Sequence, residues 1–297
     1  MTDLIYICAS GRSGSTVVER ILNSAPQVTA VGEIHALWRL PLDNLLCSCG
    51  KPVKGCSFWQ QVLAAADMHA PDLARLRVLE TEVVRNRYLI GLGFDLERIR
   101  EDKRLAEFAD LQKRLFRAIR QASGSEIVLD SSKAGPRAWV LAAFLGAKVL
   151  HIYRGAEDVI ASWRRPKFDP SLNAPMKKPA LSQAAIDWIK AEKAARSLMR
   201  KAPVSRLNYR AFLADPRAAM GRALEPIHAH LNEAIQWVDT RRVKPADTYH
   251  SVLGNPDRFN DGVIEIAAQS AAARGTFGWA ERGLIGALGK TLEKAYP

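Results

Sequence analysis

The 297-residue sequence contains no uninterrupted apolar run near the roughly 18 residues that a bilayer-spanning helix needs, which excludes a membrane span. Cysteine is scarce too: four in a chain of this length do not make a disulfide framework. There is no internal repeat and no low-complexity tract, and 48% hydrophobic with 25% charged residues excludes disorder and collagen-like structure. The N-terminus has no basic region before Leu4–Ala9, and that apolar run is too short for a signal peptide, so a cytoplasmic location is expected. Acidic residues are few: 31 Asp+Glu against 43 Lys+Arg leave a formal charge of +12. A balance this basic predicts an anionic partner such as nucleic acid, lipid headgroups or a phosphorylated small molecule.

Leu4–Ala9 reads as a buried strand that Ser10-Gly11 ends in a tight turn. From Ser15 onward Val17, Val18, Ile21 and Leu22 fall on one helical face, and Pro26 stops the helix. Residues 57–122 read as almost wholly helical, broken near Gly91 and Gly93. Ile127–Leu129, Lys148–Tyr153 and Val204–Leu207 read as further strands. Helical patterns cover Trp139–Leu145, Glu157–Trp163, Ala180–Lys201 and Pro216–Leu231, with a Pro-rich loop at Pro166–Pro179. Strands alternating with helices predict an α/β fold, a mostly parallel central sheet flanked by helices. Ligands in such sheets bind beyond the carboxyl ends of the strands.

Ser10-Gly11-Arg12-Ser13-Gly14-Ser15-Thr16 occupies one such position. Its glycines allow a tight turn with exposed N–H groups, and the helix N-terminus behind adds partial positive charge, so the loop is a phosphate cradle. It is not a complete Walker A motif: in that register Ala9 replaces the first glycine and Ser15 the lysine. A P-loop-type nucleotide kinase therefore stays open only as an alternative without its phosphate-reaching lysine.

Arg12-Ser13-Gly14-Ser15-Thr16 after a first strand resembles the 5′-phosphosulfate loop of sulfotransferases that use 3′-phosphoadenosine 5′-phosphosulfate (PAPS). Tyr153–Ser162 resembles the 3′-phosphate element of that family, with Arg154 at a strand end and Ser162 eight positions on, in the next helix. Val128-Leu129-Asp130-Ser131-Ser132-Lys133 ends a strand with a lysine, where related enzymes place one beside the transferred sulfuryl group. Leu207-Asn208-Tyr209 with Phe212–Pro216 is similar to a Tyr-Glu-Asp-Leu-x-x-x-Pro stretch, Arg210 departing from its acid. His250–Phe259 resembles a Gly-Asn-Pro-x-Arg-Phe segment of bacterial members that leads to a cap over the nucleotide. Asn260-Asp261-Gly262 then stands where many relatives have Arg-Lys-Gly, leaving Arg258 as the substitute cation.

The resemblance implies one sulfotransferase domain over residues 1–297, with a helical insert at about 43–125 and a C-terminal cap at about 235–297. It implies transfer of the sulfuryl group of PAPS to an acceptor hydroxyl on a small molecule, glycan or peptide, releasing adenosine 3′,5′-bisphosphate. Donor contacts are expected from Gly11, Arg12, Ser13, Gly14, Ser15, Thr16, Arg154, Ser162, Tyr209 and Arg258. Glu33, two residues before its rival His35, resembles the catalytic base of tyrosine- and glycan-type relatives, with Arg12 and Lys133 at the leaving phosphate. No metal is expected, because no metal motif stands near these loops. Cys47, Cys49 and Cys56 form a separate cluster for which free thiols, a disulfide and a metal knuckle all stay open; a C-x-C start is poor for zinc, which favours C-x-x-C. A basic nucleic-acid-binding protein is the remaining alternative, but no helix-turn-helix, zinc finger or RNP-like aromatic pattern supports it, so no nucleic-acid partner is expected.

Overall fold

The computed structural model describes residues 3–165, 168–169, 174–175 and 178–267. In chain order these form β1 (Asp3–Ala9), α1 (Ser15–Asn23), β2 (Val28–Gly32), α2 (Ala36–Arg39), α3 (Ser57–Ala65), α4 (Ala70–Glu82), α5 (Asn86–Gly91), α6 (Leu96–Glu101) and α7 (Lys103–Ser123). There follow β3 (Ile127–Lys133), α8 (Gly135–Leu145), β4 (Lys148–Tyr153), α9 (Ala156–Arg164), the short pair β5 (Phe168–Asp169) and β6 (Ala174–Pro175), and α10 (Leu181–Leu198). The described chain closes with β7 (Val204–Asn208), α11 (Tyr209–Ala214), α12 (Pro216–His228), α13 (Leu231–Ala234), β8 (Arg242–Val243) and β9 (Ile264–Glu265).

Five strands make a wholly parallel sheet in the order β2-β3-β1-β4-β7. Alternation along β1 shows why it lies at the centre. Leu4, Tyr6 and Cys8 enter one buried cluster, while Ile5, Ile7 and Ala9 enter the other. The first cluster holds the helical layer α3–α8; the second holds α1 and α12. The chain goes out from β1 through α1 to the β2 edge, and later runs from β3 to β4 on the opposite side of β1. That reversal opens a crevice at the carboxyl ends of β1 and β4, the place where open α/β sheets bind ligands.

Several boundaries differ from the sequence reading. β2 was not anticipated, and only α2, a single turn, follows Glu33. β3 runs four residues beyond Leu129, because the polar groups of Asp130, Ser131 and Ser132 all find buried partners. The helix begun at Pro216 ends at His228, and Leu231 starts a separate turn. Much of Pro166–Pro179 and the last thirty residues of the expected cap, 268–297, lie outside the described residues. The part of that cap that is described packs against the α1 side of the sheet, through Ile235, Val243, Ile264 and Ile266.

Candidate functional site

The loop between β1 and α1 is held open from beneath. Ser13 is buried, and its hydroxyl meets that of Ser10 at 2.6 Å, so it braces the turn from inside. Arg12 and Gly14 both have left-handed backbones, at φ 66° and 90°. Gly14 is the N-cap of α1, and a Cβ there would fall within 2.8 Å of three Tyr209 ring carbons, so the position accepts no side chain. The first N–H groups of α1 have no intrahelical partners and add to the positive end of the helix.

Arg154, just past the end of β4, donates from Nη1 to the Arg12 carbonyl at 2.8 Å, and its guanidinium lies 4.9 Å above the Tyr209 ring. The Arg154 carbonyl in turn accepts from Trp188 Nε1 at 2.8 Å. Arg12 reaches the Ser162 carbonyl from Nη2 at 3.4 Å and lies over Trp163 at 5.4 Å. Burial first, and then the neighbouring Arg154, lower the Arg12 pKa, while Asp257 opposes them. Both guanidinium groups face one cavity, so an anion bound there would offset their repulsion. Arg12, Arg154, Ser162, Trp163, Tyr209 and Asp257 line a cavity of about 570 Å³ that also takes in Ser15, Thr16, Lys133 and Asn255. The Asn255 N–H donates to Thr16 Oγ1 at 3.3 Å and so joins the 253–257 segment to the loop.

Glu33 and Lys133 close the far side. Glu33 follows β2, and its N–H donates to the Val252 carbonyl at 2.8 Å. Lys133 ends β3 with φ 68° after a register shift against β1. Its Nζ donates to Glu33 Oε1, and also to the Ser131 carbonyl at 3.4 Å. Behind the pair, the fully buried Asp130 carboxylate takes two hydrogen bonds from Arg137, at 3.1 and 2.9 Å, and two from Ser132, at 2.8 and 2.6 Å. This network fixes the end of β3 and therefore where Lys133 starts. His35 Nε2 lies 3.9 Å from Glu33 Oε2, and its Nδ1 has no hydrogen-bond partner among the described residues. Burial, then Arg39, Arg137 and Lys133, push the His35 pKa well below the ordinary imidazole value, so the ring is neutral.

A second cavity, of about 710 Å³, lies beyond this pair. It shares Gly11, Glu33, Lys133 and Trp163 with the first and adds His35, Trp188 and Lys190 among its walls.

Of the residues singled out from sequence, Gly11, Arg12, Gly14, Ser15, Thr16, Arg154, Ser162 and Tyr209 line the first cavity together. Ser13 lies beneath the loop, and His35 faces only the second cavity. Arg258 does not join them: it is 1% exposed, donates to the carbonyls of Gly254 and Leu46 at 3.4 Å, and lies 4.1 Å over Phe259. From sequence Trp163 reads only as a core or rim aromatic, and the fold makes it a wall of both cavities; Asp130 with Arg137 as the brace behind Lys133 was missed. A charged residue inside the apolar run of β3 was the available signal for that brace.

A family profile described as "Sulfotransferase family" matches residues 4–233. No curated protein matches the sequence. The sulfotransferase domain of the Synechococcus PCC 7002 olefin synthase shares this fold, with 17% identity over 99% of this chain and 95% of that one and a TM-score of 0.52. The sulfotransferase domain from the curacin biosynthetic pathway aligns at 14% identity over 100% and 99%, with a TM-score of 0.49. Sulfotransferase STF9 from Mycobacterium avium aligns at 16% identity over 79% and 67%, with a TM-score of 0.43.

Proposed function

Because the chain belongs to the sulfotransferase family, we propose that it moves the sulfuryl group of PAPS to an acceptor hydroxyl and releases adenosine 3′,5′-bisphosphate. The observation that carries this reading is the junction of two cavities at the Glu33–Lys133 ion pair, with Arg12 and Arg154 on one side only. A polyanionic donor suits the side with the guanidinium groups and the α1 N-terminus. An acceptor suits the other side, walled by Trp163 and Trp188. The helical layer 57–123 and the segment from 235 onward serve on this reading as insert and cap of one catalytic unit.

The residue roles follow from charge. The 5′-phosphosulfate would sit on the Gly11–Thr16 loop, where N–H groups and Arg12 offset its charge. The 3′-phosphate would fall to Arg154 and Ser162. Glu33 takes the acceptor proton as the acceptor oxygen bonds to sulfur. The bond between sulfur and the bridging phosphate oxygen breaks, its electron pair stays on that oxygen, and Lys133 and Arg12 stabilise the charge there. Glu33 is favoured over His35 as base because it touches both cavities.

Calorimetry with adenosine 3′,5′-bisphosphate and with ATP·Mg²⁺ tests the donor, and Glu33→Gln tests the base. The bisphosphate should bind far more tightly than ATP·Mg²⁺, and Glu33→Gln should keep that binding. With an acceptor found by screening against labelled PAPS, the variant should lose about 10²–10⁴-fold in turnover. Tighter binding of ATP·Mg²⁺ would overturn the reading.

A further inference from the structure

Away from the two cavities, four side chains with soft donor atoms converge. The ligand atoms of Cys47, Cys49, Cys56 and His250 all lie within 4.8 Å of one another. Cys49 Sγ is 3.6 Å from Cys56 Sγ, and His250 Nδ1 is 3.5 Å from both Cys47 Sγ and Cys56 Sγ. With Zn–S near 2.3 Å and Zn–N near 2.0–2.1 Å, a regular tetrahedron needs edges of about 3.8 Å between sulfurs and about 3.5 Å from sulfur to nitrogen. The measured edges fall close to both.

The backbone holds the set in place. Gly50 N–H donates to the Cys47 carbonyl, and Cys47 N–H to the Lys51 carbonyl, each at 2.9 Å, which turns Cys47 and Cys49 to one side. Cys56 stands just before α3. The fourth member comes from 194 positions further along: Ser48 is tied to the Tyr249 carbonyl at 2.6 Å, and Cys47 bridges Val252. Phe58 stacks on the His250 ring at 4.7 Å and 6°, fixing its plane. A disulfide between Cys49 and Cys56 would use only two of the four convergent groups and leave Cys47 and the imidazole nitrogen only their 3.5 Å contact with each other.

We propose that Cys47, Cys49, Cys56 and His250 bind one Zn²⁺ in a closed, structural Cys₃His site. Three thiolates with one imidazole suit zinc by softness and by tetrahedral geometry. Binding displaces the three thiol protons to solvent and changes no oxidation state. The ion clamps the loop 46–56 to the segment 249–252, directly before Leu253, Gly254 and Asn255 of the first cavity. The expectation of no metal concerned the loops at the strand ends; for the cysteine cluster a metal knuckle stayed open for want of a fourth ligand, and His250 stands in that place. This proposal is independent of the donor reading.

Elemental analysis of full-length protein, purified under reducing conditions without chelator, should give about one zinc per chain. Cys49→Ser and His250→Ala should reduce it to trace, while Cys8→Ala keeps it. If those variants do not fold, two measurements on the wild type decide. A mercurial thiol reagent should release zinc in step with thiol titration, and Co²⁺ in place of zinc should show the charge-transfer and intense d–d bands of tetrahedral thiolate coordination. Wild type that takes up no zinc under reducing conditions, zinc that stays in both variants, or an intact mass two hydrogens light from a chain that, denatured without reductant, takes up two alkyl groups and not four would overturn the proposal.

Discussion

Replacing Gly14 by alanine should push the loop between β1 and α1 away from its ring neighbour. Two costs arise. At φ 90° an alanine backbone is strained by about 1–2 kcal/mol. The added Cβ would also lie within 2.8 Å of three Tyr209 ring carbons, the nearest at 2.1 Å, so the ring must recede by about 1.4 Å to regain a normal carbon contact. Tyr209 is not free to do so, because it faces Arg154 at 4.9 Å and packs on Phe212 at 5.6 Å. Overpacking of this kind costs about 1–3 kcal/mol. The sum, about 2–5 kcal/mol, should lower Tm by roughly 3–8 °C in a protein of this size. Displacing Arg154 removes a charge-assisted contact worth about 1.5–3 kcal/mol, so affinity for adenosine 3′,5′-bisphosphate should fall about 10- to 100-fold. Gly124→Ala is the control: it has φ 69°, nothing within 4 Å of the added Cβ, and a place at the end of α7. It should cost stability by the backbone term alone and leave binding unchanged. Calorimetry and thermal melts on both variants would check this. The reasoning fails if Gly14→Ala binds the bisphosphate within about 3-fold of wild type, under 0.7 kcal/mol, or if Gly124→Ala weakens binding as much.

Arg154→Ala should weaken bisphosphate binding by about 10- to 100-fold, whereas Arg258→Lys should leave it nearly unchanged, as titration of each variant would show; equal losses would return Arg258 to the donor site. Arg137→Met strands the buried Asp130 carboxylate and should cost about 3–5 kcal/mol in urea unfolding, with Asp130→Asn/Arg137→Met recovering part of it. The depressed His35 pKa means that the unfolded chain binds a proton the folded chain does not, once pH drops below about 6.5. Stability from this group is therefore full above pH 6.5 and declines by up to about 1.4 kcal/mol per pH unit below it, until the folded-state pKa is reached. His35→Gln should lack that slope, so the wild-type and variant stability–pH curves measured from pH 7 to 5 should diverge below about pH 6.5; parallel curves would refute the assignment.

The sheet was legible where local signals agree with the fold. β1, the loop and α1 could be read because a short apolar run, two glycines and a 3.6-residue stripe follow one another directly. β4 and β7 were found to within a residue for the same reason. β2 escaped because Ala30 and Gly32, both poor strand formers, interrupt Val28–Gly32. β3 looked short because Asp130-Ser131-Ser132 reads as a loop until Arg137, Gln112 and Glu19 supply partners from other elements. The site followed the same rule. Loop residues contiguous in sequence were legible, while the Trp163 wall and the burial of Arg258 depend on packing between distant segments. The fourth member of the cysteine cluster was hidden most deeply, since nothing in residues 47–56 points to His250.

Two chambers that share Gly11, Glu33, Lys133 and Trp163 can be filled at the same time. For an enzyme working as proposed, this sets the kinetic order. Group transfer across a common wall requires both substrates to be resident together, so initial-rate plots should intersect and not run parallel. The spent nucleotide can linger in its own chamber while a fresh acceptor enters the other. Adenosine 3′,5′-bisphosphate should then compete with the donor yet lower the maximal rate when the acceptor is varied.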